Sequence, residues 1–174
     1  MLSNISRINF NDSPKIFWEQ YLLFLDNFEC ISPLYFESTY TYSKEYFCSN
    51  SINSSNISFL LKENDIVFFA FIGLLFHYEK KDRLSFFEKP CISINLEKLS
   101  KNQKKKISEN IENILLEFKG QFIINDYYYG SKFSYLSEYL FFKYNCQIST
   151  NFKKIINLED DVSILKSNIR KSYK

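Results

Sequence analysis

Apolar and polar positions follow two rhythms along this chain, and one stretch breaks both. Ile66–Phe76 (IVFFAFIGLLF) is an unbroken apolar run set between Lys62-Glu63-Asn64-Asp65 and Glu79-Lys80-Lys81-Asp82. A continuous run of this kind reads as a central strand buried on both faces. A membrane-crossing helix needs about 18 or more apolar residues, so the run is too short to span a bilayer. Val67, Phe68, Phe69, Phe71 and Ile72 also favour a strand, because branched and aromatic side chains pack well on a pleated surface.

Around that run the helical rhythm appears several times. Ser13-Pro14 marks a helix start, since serine caps and proline suits the first helical position. Phe17, Tyr21, Phe24, Leu25 and Phe28 then recur at helical spacing, widened by Trp18 and Leu22, to form a face for a sheet. Ser32-Pro33 breaks the chain. Glu37–Phe47 reads as a second helix and Cys48–Asn56 as a polar loop. Ile57–Leu61 and Ile66–Phe76 flank Lys62–Asp65 as a hairpin, and Arg83–Phe87 and Cys91–Asn95 read as short strands. Ser100 opens the clearest helix, with Ile107, Ile111, Ile114, Leu115 and Phe118 on one face and Gly120 just past its end. Gln121–Tyr128 reads as a strand. Ser131–Tyr144 reads as a helix apolar on two sides and therefore covered on both. A strand at Gln147–Ile156 and a helix at Glu159–Lys174 complete the order. That order is α/β (α+β): a mixed sheet with helices on its faces.

Composition narrows the function classes. The 174 residues suit a single domain with a real core; 45% are hydrophobic and 24% charged, the balance of a folded chain. A net charge of +2 gives no electrostatic case for nucleic acid. Three glycines, none in a G-x-G-x-x-G or P-loop pattern, argue against a nucleotide cradle. Cys30, Cys48, Cys91 and Cys146 form no Cys-x-x-Cys pair, so no zinc site is expected and free thiols in a reducing compartment fit better. Met1–Arg7 lacks the apolar core of a signal peptide, and the expected compartment is the cytoplasm.

Few residues offer chemistry. His77, the one histidine, follows the apolar run and could act as a general base, or be a plain strand-end histidine. Asp126-Tyr127-Tyr128-Tyr129-Gly130 leads from a strand into a helix, where open α/β sheets gather ligands. Asp126 is there a second candidate base, and Tyr127 and Tyr129 are candidate substrate contacts; the alternative is that they fill the sheet and turn the chain. The lysine run Lys98, Lys101, Lys104, Lys105 and Lys106 reads as a solvated helix face, because Glu109 and Glu112 interrupt it. Lys166, Arg170 and Lys174 recur every fourth residue and could hold a phosphate or carboxylate, or form the basic end of a helix.

Phe152–Lys174 (FKKIINLEDDVSILKSNIRKSYK) resembles the mid-chain junction of FemAB-like proteins in the GNAT acyltransferase superfamily. The matching features are Ile156-Asn157-Leu158 closing a strand, the acidic Glu159-Asp160-Asp161, and Ile169-Arg170-Lys171 in the helix. The upstream order is similar too: a helix carrying Trp18, a Ser32-Pro33-led aromatic segment, then the Lys62–His77 hairpin. The resemblance implies a GNAT-like mixed, twisted sheet with helices on both faces over 1–158, and 159–174 as a linker helix towards a second half. It implies transfer of an acyl or aminoacyl group to an amine, in cell-wall or surface-glycan assembly. The donor would be acyl-CoA or aminoacyl-tRNA, although no cofactor motif is present. The partner would be a second GNAT-like half or a dimer mate. No catalytic residue of the family maps onto a position here. A non-catalytic remnant or interaction module is the alternative.

Overall fold

A computed structural model describes residues 4–28, 36–48, 53–77, 82–85, 91–118, 122–127 and 134–148. In chain order the elements are β1 (Ile5–Asn9), α1 (Pro14–Leu25), α2 (Glu37–Cys48), β2 (Asn53–Asn56), β3 (Phe59–Glu63) and β4 (Ile66–Ile72). They continue with β5 (Leu74–His77), β6 (Asp82–Ser85), β7 (Cys91–Asn95), α3 (Lys101–Glu117), β8 (Ile124–Tyr127) and α4 (Tyr135–Tyr144). Five strands form one sheet in the order β1-β3-β4-β7-β8, and three form a smaller sheet, β2-β5-β6. Every pairing is antiparallel except β7 with β8. The fold is mixed α/β, as the order of elements led one to expect.

The hairpin between β3 and β4 turns on Asn64 and Asp65, whose φ values are 48° and 68°. A two-residue hairpin turn of this hand needs positive φ at both central positions, which Asn and Asp tolerate better than other side-chain-bearing residues. The pairing shifts register between Leu61 and Lys62, leaving Phe68 as the extra residue of a bulge. Phe68 and its neighbour Phe69 therefore both pack against the cluster on one face, whereas Val67, Ala70 and Ile72 belong to the other.

The apolar run expected to be a single strand is two. It divides at Gly73 into β4 of the large sheet and β5 of the small one. The Ser58 hydroxyl holds the break, accepting from Gly73 N at 3.0 Å and lying 3.3 Å from Gly73 O, while Ile57 N donates to that same carbonyl at 3.1 Å. A Cβ at position 73 would stand 3.0 Å from Cys91 Sγ and 3.1 Å from a Phe71 ring carbon. A side chain there would require Cys91 and Phe71 to give way by a few tenths of an ångström. The central position of β4 does hold, because β3 and β7 flank it and Val67 through Ile72 are all buried.

Two other expectations need correction, and one strand was not expected at all. Cys48–Asn56 is not wholly loop: Asn53–Asn56 pairs with β5, so tertiary pairing overrides a polar composition poor in strand formers. The N-terminal strand β1, unmarked by the sequence, pairs along its whole length with β3. Helix α4 is not covered on both sides by described residues, since Phe142 is 82% exposed while Leu136 and Leu140 are buried. Gly120 and 149–174 lie outside the described residues, and with them the last expected helix and all of the last expected strand but Gln147 and Ile148, which are not in a strand.

The helices divide between the two faces of the large sheet. Phe17, Trp18, Tyr21, Phe24 and Leu25 of α1, with Tyr40 of α2, pack on Leu60, Ala70, Ile72, Ile92 and Ile94. Ile107 and Ile111 of α3, with Leu136 and Leu140 of α4, pack on Phe59, Leu61, Phe69, Phe71 and Cys91. Full burial of one such large apolar side chain contributes about 1.5–3 kcal/mol, so each face is held by packing first. Ser100 starts α3 with a complete capping box: its hydroxyl accepts from Gln103 N, and the Gln103 side chain accepts from Ser100 N. Among the described residues no helix is long and apolar enough to cross a membrane.

Candidate functional site

β7 and β8 are joined through α3, so their carboxyl ends point the same way and the helices that follow both start at that end. Ligands of open α/β sheets gather outside the carboxyl ends of such strands. Asp126 stands there on β8, directly opposite Ser93 on β7. Ser93 Oγ donates to Asp126 Oδ1 at 2.6 Å, and Ser137 Oγ donates to Oδ2 at 2.9 Å. Ser137 sits in the first turn of α4, its backbone N–H held 3.2 Å from the capping hydroxyl of Ser134. The carboxyl thus ties two strands to a helix start.

Its protonation is shifted. Burial of the carboxyl pushes the Asp126 pKa up from 3.8 to about 6, and the hydrogen bonds from Ser93 and Ser137 only partly oppose it. The residue as a whole remains half-buried, so solvent or a ligand reaches its margin while the carboxyl itself is packed in. A carboxyl that ionises near neutrality can both take and return a proton under ordinary conditions.

Two residues along β7 from Ser93, and so on the same face of the strand, is Asn95. Its Nδ2 is buried and has no hydrogen-bond partner among the described residues. An orphaned donor of this kind costs about 1–3 kcal/mol unless something accepts from it. Beside this end of the sheet, Tyr135 Oη and Ser108 Oγ lie 2.5 Å apart, and Ser108 Oγ donates onward to Lys104 O at 3.0 Å. Lys104 Nζ sits 5.4 Å from the Tyr135 ring centre. This face of the sheet therefore carries a titrating carboxyl, an unsatisfied amide donor and a phenol held by Ser108.

His77 lies elsewhere. It ends β5 in the small sheet, exposed, with Nε2 3.1 Å from Ser55 Oγ and Asp82 opposite it in register on β6. His77 and Asp126, the two candidate bases, thus belong to different sheets. Tyr127 ends β8 opposite Ile94, and its side chain lies outside the description, as do Tyr129, Lys166, Arg170 and Lys174 entirely. Lys105 and Lys106 reach Glu109 at 3.7 and 2.8 Å, the pattern of a solvated helix face. Cys91 is buried and its thiol is pushed up to about 12, far from a reactive thiolate. Among the described residues no cluster of His, Cys, Asp and Glu has the make-up of a metal site.

Sequence reasoning picked Asp126 and missed its partners. Ser93 is an inward serine in CISIN, and Ser134-x-x-Ser137 is a helix-start pattern; both were visible as residues. What hid their role was the register that sets Ser93 beside Asp126, a relation between segments 33 positions apart. No family model, curated protein or solved structure matches this chain.

Proposed function

We propose that the chain is an acyltransferase-type module that moves an acyl or aminoacyl group onto an amine, with Asp126 as the base. The observation that carries the reading is a carboxyl of pKa about 6 gripped by Ser93 and Ser137 at the carboxyl ends of the parallel pair β7 and β8, with the orphaned amide donor of Asn95 two residues on from Ser93. The neutral amine attacks the acyl carbonyl, and Asp126 accepts the proton that the nitrogen sheds as the bond forms. The C–N bond forms as the C–S bond of a thioester or the C–O bond of an aminoacyl ester breaks, and the proton passes to the departing group. Asn95 Nδ2 donates to the carbonyl oxygen as negative charge builds there. The mixed sheet with α1 and α2 on one face and α3 and α4 on the other supports a GNAT-like arrangement of the FemAB kind. The donor is acyl-CoA or aminoacyl-tRNA, the compartment the cytoplasm, and a second such module or a dimer mate completes the cleft.

The test is transfer of labelled acyl-CoA and aminoacyl-tRNA to amines, by this chain alone and joined to a second module. We expect transfer that falls about 100-fold or more in D126N, the range of general base catalysis. Neither binding nor transfer from either donor, in either form of the protein, would end the proposal. A second reading, an interaction module without catalysis, is favoured by the exposed Phe142 (82%), Leu116 (77%) and Ile123 (66%). A pull-down that saturates on the wild type and fails for F142S would support it.

A further inference from the structure

The face of the large sheet away from Asp126 carries a different feature. A cavity of about 830 Å3 opens between α1 and α2. Its size is that of small-molecule sites, roughly 300–1,000 Å3. Phe10, Trp18 and Tyr40 form its floor, with centroid separations of 6.0 Å for Phe10–Trp18, 5.6 Å for Phe10–Tyr40 and 5.1 Å for Trp18–Tyr40. The floor is fixed from behind. Trp18 and Tyr40 are buried in the core, and the Tyr40 hydroxyl receives a hydrogen bond from Asn56 Nδ2 at 2.5 Å.

The walls are charged and not balanced. Glu19, Glu37 and Glu45 line the cavity against Lys15 and Lys44. Lys15 approaches Glu19 at 3.9 Å, which leaves two carboxylates on α2 against one ammonium. Aromatic faces attract cations, and carboxylates pair with ammonium groups. A neutral apolar guest would not use the carboxylates, and an anionic one would meet them. A bare metal ion would find exposed carboxylates on helix faces with no ligating cluster among the described residues.

We propose that this cavity binds a small organic amine, its flat or apolar body on Phe10, Trp18 and Tyr40 and its ammonium beside Glu37 and Glu45. The site is independent of the reaction assigned to the opposite face, and either can fail alone.

Trp18 is the only tryptophan in the chain, so its fluorescence reports the cavity directly. The probes are phenethylammonium, phenethyl alcohol and 3-phenylpropionate, which vary the charge on one body. We expect a saturable change in Trp18 emission with phenethylammonium and binding about fivefold weaker for the anion, near the upper worth of one exposed charge contact. The double variant E37Q/E45Q should weaken the ammonium about fivefold and leave the alcohol unchanged. K44Q, on the same wall, should tighten the ammonium. No saturable change, equal affinity for cation and anion, or no effect of E37Q/E45Q and K44Q would each overturn the proposal.

Discussion

The two faces of the large sheet are both held by packing and differ in what interrupts it. Beneath α1 and α2 the contacts are ring on ring: Phe17 meets Phe10, Trp18 and Tyr21 at centroid separations of 5.4, 5.3 and 6.1 Å. Beneath α3 and α4 the core is interrupted by polar groups, with Ser93, Asp126 and Ser137 joined at the carboxyl ends of β7 and β8. Aromatic contacts tolerate small changes of angle, whereas a carboxyl gripped by two hydroxyls tolerates little. Both faces are held by packing, the second also through Phe59 against Phe69 and Phe71 at 5.8 and 5.6 Å, but only the second adds a carboxyl fixed in place. A titrating group belongs where positions are fixed, which is why the candidate chemistry lies under α4.

Several substitutions would break or sharpen that contrast. The largest effect is expected on the ring-packed face: Phe17→Ala, at a fully buried site, should lower unfolding free energy by about 3–5 kcal/mol in urea titration. A loss under 1 kcal/mol would mean that the rings are not the main support. Gly73→Ala should cost about 1–3 kcal/mol by overpacking against Cys91 and Phe71, read as a lower thermal midpoint.

Asp126 should give the polar face a pH signature that the ring-packed face lacks. Its pKa is higher folded (about 6) than unfolded (3.8), so the stability it contributes is full below 3.8 and is lost as pH rises through about 6. Across that window wild type should lose about 1–3 kcal/mol relative to D126N, since each pK step is worth about 1.4 kcal/mol and partial exposure lowers the sum. Parallel pH profiles for the two proteins would refute the assignment. Ser100→Ala is the smallest change, removing the α3 cap for about 1 kcal/mol without altering that profile.

What the sequence revealed follows from how local each signal is. The hairpin across Lys62–Asp65 and the helix start at Ser100 are settled within a few residues, and both were legible. The stripe of α1 was legible because Phe17, Trp18, Tyr21 and Phe24 share one helical face and that face is buried. The split at Gly73 was not, because hydrophobicity is unchanged across it and the cause is Ser58 on another segment. β2 gains its form from pairing with β5 rather than from strand-forming residues, and β1, with only Ile5 and Ile8 in five residues, is fixed by pairing with β3. The site was half legible for the same reason. Asp126 announced itself by composition and place, while Ser93 and Asn95 acquire meaning only through the strand register.

Because β4 and β5 are one backbone bent at Gly73, the small sheet has no seam along which to come away from the large one. Opening of the β2-β5-β6 sheet would pull on the most enclosed strand of the molecule. Amide protons of Phe76 and Ala70 should therefore exchange with deuterium at similar rates, through a shared cooperative opening.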